Sequence, residues 1–117
     1  MLNARATKRY LRSSPRKMRL VIDLIRGKSA QQAIATLKFS TKSAAKDAEM
    51  VLRSAISNVM EKALAANERV DEGKLYVSKV YVNQGPTAKR ISPAPMGRAY
   101  RIRKRSHHLT IEVSVVK

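Results

Sequence analysis

The 117-residue sequence has no cysteine, which removes disulfides, thiolate-bound zinc and cysteine nucleophiles together and fits a cytoplasmic setting. It has no Trp and one Phe beside four Tyr. Platforms for stacking splayed bases are therefore few, and any nucleic-acid recognition should lean on phosphates and shape. No apolar run approaches the roughly eighteen residues of a membrane span, and the N-terminus lacks the apolar stretch of a signal peptide, so no membrane partner is expected. Acidic residues are scarce as well. Eight stand against 25 Lys and Arg, for a formal charge of +17, and none lies between Glu72 and Glu112. Self-repulsion at that level disfavours a compact state unless a polyanion relieves it.

The distribution of charge says more than its total. Residues 1–28 carry nine basic residues against Asp23 alone, residues 29–72 carry six of each sign, and residues 73–117 carry ten against Glu112 alone. The two ends are cationic and the middle is neutral. Within the last segment, Asn83 to Arg105 forms a basic run punctuated by Gly85-Pro86 and by Pro93, Pro95 and Gly97, residues that suit turns and sheet edges but no helix. Its flanks, Leu75 to Val82 and Leu109 to Val116, have strand composition. The pattern predicts a hairpin whose arms outgrow the sheet, since a structureless loop of that length is uncommon in a compact domain. From Arg98 onward the alternation puts Ala99, Arg101, Arg103 and Arg105 on one face and Arg98, Tyr100, Ile102 and Lys104 on the other. Neither face can be a core face. About ten residues per arm at roughly 3.3 Å each would reach about 30 Å beyond the body, and such a lone ribbon is marginal in water, so an external anion is expected to order it.

The rest of the chain reads as an α+β body. Asn3 to Leu11 alternates as a strand, with Arg5, Thr7 and Arg9 against Ala4, Ala6, Lys8 and Tyr10. Ser14 and Pro15 supply an N-cap and first helical residue. Met18, Val21, Ile22 and Ile25, widened by Leu20 and Leu24, predict the buried stripe of a first helix that stops at Gly27. Ser29 and Gln32 have capping-box spacing ahead of a short helix through Leu37. A long third helix is predicted to open at Ser40-Thr41. Its stripe is Ala44, Ala48, Val51, Leu52, Ala55, Ile56, Val59, Ala63 and Leu64, and its outer face of Lys46, Asp47, Glu49, Arg53, Glu61 and Lys62 reads as plain solvent surface. In the last strand His107, Leu109, Ile111, Val113 and Val115 share the buried face, opposite Ser106, His108, Thr110, Glu112 and Ser114. The expected fold is α+β, about three helices on a small antiparallel sheet of about three strands with a long protruding β-hairpin. Length indicates a single domain, with a body of about residues 1–82 and 106–117 and a hairpin of about 83–105.

Catalytic chemistry finds no foothold. Six of the eight carboxylates lie in the neutral middle, away from the basic run, so paired carboxylates for acid-base or two-metal work are missing there. His107 and His108 are adjacent in a strand and point to opposite faces, which prevents joint chelation. Gly85 and Gly97 are too isolated for a phosphate-cradling loop and read as turn glycines. No enzyme, cofactor or metal is expected. A nucleoid or DNA-architectural protein would share the charge, and an RNA-processing enzyme would need a catalytic set absent from these residues.

Two long motifs carry a resemblance. Ser14-Pro15-Arg16-Lys17-Met18-Arg19-Leu20-Val21-Ile22-Asp23-Leu24-Ile25-Arg26-Gly27-Lys28 and Gly85-Pro86-Thr87-Ala88-Lys89-Arg90, continuing through Pro93, Gly97-Arg98-Ala99 and Arg101-Ile102-Arg103-Lys104-Arg105-Ser106-His107-His108, closely resemble the bacterial-type large-subunit ribosomal protein L twenty-two family. The likeness runs from Ala4 to Val115. It implies a structural ribosomal protein of the cytoplasm that binds large-subunit ribosomal RNA, neighbours other ribosomal proteins, supports subunit assembly and lines the nascent-polypeptide exit tunnel with its hairpin tip. By position it assigns RNA contact to Lys89, Arg90, Arg98, Arg101, Arg103, Lys104 and Arg105, and the tip to Ile91, Ser92, Pro93, Ala94, Pro95 and Met96. Family tips often carry basic residues after the proline at 93, where this chain has Ala94-Pro95-Met96. A second RNA surface is expected on the N-terminal strand-helix unit, through Arg5, Lys8, Arg9, Arg12, Arg16, Lys17, Arg19 and Lys28.

Overall fold

Serine caps, prolines and the apolar stripes above organise the chain into three helices and three strands. In a computed structural model describing residues 2–93, 95–97 and 99–115, these are β1 (Asn3–Leu11), α1 (Pro15–Ile22), α2 (Ala30–Lys38), α3 (Ala44–Ala65), β2 (Leu75–Pro93) and β3 (Ala99–Val115). Single 3-10 turns at Glu72–Lys74 and Pro95–Gly97 precede β2 and join β2 to β3. The sheet is antiparallel in the order β1-β3-β2, so the last strand is central. This is the expected α+β arrangement of three helices on three strands, with β2 and β3 continuing as a long hairpin. The expected strand end at Val116 lies outside the described residues.

Ser14 Oγ accepts the backbone N–H of Lys17, and Ser29 Oγ that of Gln32, so both predicted N-caps act as such. The core packs α1, α2 and α3 on one face of the sheet. Met18, Val21, Ile22 and Ile25 meet Leu52, Ala48, Ala55 and Val59, over Val77, Val80, Leu109, Ile111 and Val113. Alanines at 44, 45, 48, 55 and 63 let the long helix approach closely.

Several details depart from the sequence pattern. α1 ends at Ile22 rather than Gly27, and residues 23–28 continue as turns that still bury Ile25. Leu20 and Leu24 are 55% and 44% exposed, because the stripe facing the sheet is narrower than the apolar positions allow. α3 begins at Ala44 and not at Ser40-Thr41; Ser40 Oγ instead accepts from Lys42 N–H and holds the preceding turn. Leu64 is exposed while the adjacent Ala63 is buried, so the buried stripe at the end of α3 is narrower than the apolar positions allow. The outer face of α3 is not plain solvent surface. Asn58 Nδ2 donates to the Arg5 carbonyl at 3.1 Å and Lys62 Nζ to the Asn3 carbonyl at 3.0 Å, while Asp47 lies 4.0 Å from Lys8. These side chains cover the free edge of β1, which would otherwise be open to pairing with another chain. On the opposite edge, Val77 donates to Lys28 O and accepts from Gly27 N. The polar face of β3 is also less exposed than its alternation suggests. Thr110 and Ser114 are buried, bonded to Thr7 Oγ1 and Ser78 Oγ, because both neighbours of a central strand cover its polar face.

Bulges mark where the hairpin leaves the body. Between Lys8 and Leu11, β1 gains one residue against β3, and between Gln84 and Thr87, β2 does the same. The two lie on either side of β3 at residues 105–109. A bulge bends and twists its strand, and the hairpin begins there. Gly85 therefore sits in a strand bulge, not in the predicted turn. A Cβ on it would come 2.7 Å from Ser106 Oγ and 3.3 Å from the Ser106 backbone carbon, where Ser106 Oγ donates to Pro86 O at 2.7 Å. Gly97, with φ +72°, is a turn glycine as expected.

Two stability measurements follow from these contacts. Ser14→Ala should cost about 1 kcal/mol through the lost cap, read by urea denaturation, and Ser14→Asp should restore it. Gly85→Ala should cost about 1–3 kcal/mol, part of it recovered when Ser106→Ala removes the obstructing hydroxyl. Strict additivity of those two changes in a double-mutant cycle would show that close approach is not why glycine stands there.

Candidate nucleic-acid interface

Beyond the bulges the hairpin is a two-stranded ribbon with residue-to-residue register from Thr87↔Arg105 to Pro93↔Ala99. Among the described residues, no backbone hydrogen bond from outside the β2–β3 ladder reaches residues 84–93. The long axis of the molecule is 67 Å against 26 and 15 Å. Its radius of gyration is 17.7 Å, where a compact chain of this length would have about 13 Å. The finger accounts for the excess.

Register sets the electrostatics. Directly opposite residues on antiparallel strands share a face, so Lys89 faces Arg103 across the ladder and Ala88 faces Lys104. β3 alternates without interruption from the core outward. Arg103 and Arg105 therefore fall on the helix side of the sheet, in line with buried His107 and Leu109, and Lys104 on the other. Lys89, Arg90, Arg103, Lys104 and Arg105 are all exposed. Like charges opposite one another destabilise a strand pair, and no carboxylate lies on either arm. Among the described residues the ion pairs are Lys8–Asp47, Arg26–Asp23 and Arg53–Glu49, none in the hairpin. Arg98 and Ala94 lie outside the described residues, and for Arg101, Ser92, Pro93 and Pro95 only the backbone is described. At the tip, Ile91 and Met96 are strongly exposed.

The N-terminal cations divide. Arg5, Lys8, Arg9, Arg12, Arg16, Lys17, Arg19 and Lys28 are all exposed. Lys8 is paired with Asp47, however, and the Arg19 guanidinium donates to Val82 O at 3.4 Å, so those two are partly spent on the fold. Arg12 and Lys17 turn toward the root of the hairpin. They line a cleft of about 830 Å³ with Arg90, Arg103, Lys104 and Arg105. The N-terminal unit and the hairpin, far apart in sequence, thus form one continuous cationic surface.

Two features hold that junction. His107 is fully buried, and its Nδ1 lies 3.0 Å from the Ser13 carbonyl. The carbonyl can only accept, so Nδ1 carries the proton and ties β3 to the turn entering α1, leaving Nε2 without a partner. Tyr10, in the β1 bulge, has φ +60°. Its N–H donates to His108 Nδ1 at 3.1 Å, and the two rings meet edge-to-face with centroids 5.0 Å apart. Tyr10 and Ser106 also line the cleft; neither carries charge, and Tyr10 lies in no motif. Only the bulge brings them there, and a run of alternating residues gives no sign of one. Among the described residues, no three His, Asp or Glu side chains come together in a way that could hold a metal ion, and no helix is long and apolar enough to cross a membrane.

Comparison with known proteins agrees with the geometry. The sequence profile of the family Ribosomal protein L22p/L17e matches residues 6–114. The chain is 52% identical over 116 residues to the large ribosomal subunit protein uL22 of Chlorobium phaeovibrioides, covering 99% of this chain and 96% of that one. It is 50% identical over the same length to the protein of that name from Chlorobaculum tepidum, with the same coverage. With uL22 of Solibacter usitatus it shares 48% over 113 residues, 97% of this chain and 96% of the relative. A profile spanning nearly every element from β1 to β3, together with relatives near half identity along the whole length, makes this chain a member of the ribosomal protein L22p/L17e family, bacterial type.

Proposed function

We propose that the chain is a structural, non-catalytic constituent of the large ribosomal subunit in the bacterial cytoplasm, acting as a single domain. Its body (about 1–82 and 106–117) and its hairpin (about 83–105) bind large-subunit ribosomal RNA and support subunit assembly. Neighbouring ribosomal proteins are its other partners. One observation carries the RNA-binding reading: Lys89 stands directly opposite Arg103 on an unsupported two-stranded ribbon with no carboxylate on either arm. That arrangement is stable when an external polyanion supplies the countercharge. Double-helical RNA hides its base edges in a deep, narrow groove, so backbone recognition by arginines with bidentate phosphate geometry suits it. Arg5, Arg9, Arg16 and Lys28 extend the contact along the N-terminal unit; Arg101 extends it along β3, and Arg98 is assigned to the same contact by its place in the sequence motif.

The tip has a different part. Residues 91–96, with exposed Ile91 and Met96 and no cation among them, are proposed to line the nascent-polypeptide exit tunnel and to meet the emerging chain there. Family membership and the reach of the finger support this reading.

Salt dependence tests the electrostatic core of the proposal. If six to ten phosphates are neutralised, affinity for large-subunit ribosomal RNA should fall about a thousandfold to a hundred-thousandfold between 50 and 200 mM salt. Arg103→Ala combined with Arg105→Ala should flatten the logarithmic slope by about 2. A flat profile, or equal binding to duplex DNA in competition, would count against ribosomal RNA as the partner. In the free protein, amides of Thr87 to Arg90 and Arg103 to Arg105 should exchange faster than those of α3, and RNA should slow them.

A further inference from the structure

The cleft at the hairpin root holds one feature that phosphate binding does not use. Tyr10 is 65% exposed and sits at φ +60°, a left-handed conformation that bulky residues rarely adopt. The strain is held in place by two contacts with one residue of β3. The Tyr10 N–H donates to His108 Nδ1, and the ring packs edge-to-face on the His108 ring, interplanar angle 89°. Whichever ring presents its edge, at least one face of the Tyr10 ring is left uncovered by its neighbour. An aromatic side chain pinned at fixed orientation with a free face is a stacking surface. In a chain with one Phe and no Trp, it is also a rare one.

Its surroundings indicate what would stack there. Tyr10 shares the cleft with Arg12, Lys17, Arg90 and Arg105, and no acidic residue lines it. Its volume, about 830 Å³, lies within the roughly 300–1,000 Å³ range of small-ligand sites. Within a continuous helix a paired base offers its faces only to its neighbours, so the ring suits a base that has left the stack. We infer that this cleft holds one unpaired nucleotide of RNA, its base stacked on Tyr10 and its flanking phosphates held by Arg12, Lys17 and Arg90. The inference rests on the RNA-binding reading and adds a base-unpaired requirement at one place on the surface. The bulge is then what turns the ring out of the sheet alternation and into the cleft.

The test uses the full chain and two probes at one fixed salt concentration: a short RNA duplex carrying a single unpaired adenosine, and its fully paired counterpart. Wild type should bind the bulged duplex about five- to hundredfold more tightly, the range of one base-aromatic stack. Tyr10→Asn removes the ring while tolerating the left-handed backbone; it should abolish that preference and leave affinity for the paired duplex unchanged. Tyr10→Trp should retain the preference. Arg12→Ala should weaken both duplexes alike, as a phosphate contact does. Thermal melting of each variant confirms that the fold is intact. Equal wild-type binding of the two duplexes, or a preference that survives Tyr10→Asn, overturns the inference while the RNA-binding reading stands. Failure of the wild type to bind either duplex at low salt overturns both.

Discussion

One strand has to satisfy two incompatible environments, and the rest of the molecule is arranged around that demand. β3 is the middle strand of the sheet, where Leu109, Ile111 and Val113 are completely buried. A few residues earlier the same unbroken alternation carries Arg103 and Arg105 on the same side. A side chain facing helices must be apolar, and one facing a polyanion must be cationic. The change of chemistry at His107 therefore marks the change of neighbour from protein to solvent. His107 suits that boundary: it fills the last core position and still ties its Nδ1 to the Ser13 carbonyl, anchoring the finger to the turn before the first helix.

The flanking strands answer the same demand with bulges. A flat three-stranded sheet extended along its full length would leave edges open to pairing with other chains. Instead β1 stops at Leu11, after a bulge. α3 covers the free edge of β1 with Asn58 and Lys62, and the Gly27-Lys28 turn covers β2 at Val77. Past the bulge between Gln84 and Thr87, no backbone hydrogen bond from the body reaches the described residues of the ribbon. Its protection is electrostatic, since rows of Lys and Arg repel another copy of the same edge while attracting phosphate.

Family membership and geometry meet on this point. The relatives are large ribosomal subunit proteins by name, and among the described residues the hairpin beyond the bulges contributes none to the hydrophobic core. The scarcity of aromatics agrees with recognition by backbone and shape, and the one ring held at the cleft gains weight from that scarcity.

Much of this was legible in the residues alone. Helical and strand periods, serine caps and the polarity switch at residue 106 are local properties, so they determined the α+β class, the three helices, the three strands and the existence of a cationic hairpin. Charge segregation, a property of residue order along the chain, pointed to an anionic partner. Tertiary structure decided what depends on neighbours distant in sequence. Leu20 and Leu24 are exposed because the sheet covers only part of the apolar stripe. Thr110 and Ser114 are buried because β3 is central. Gly85 occupies a bulge rather than a turn because Ser106 approaches it from twenty-one residues away. Above all, only pairing across the sheet could bring Arg12, Lys17 and Tyr10 beside Arg90 and Arg105. Register and bulges are set by which strand lies alongside which, and no stretch of a single strand contains that information.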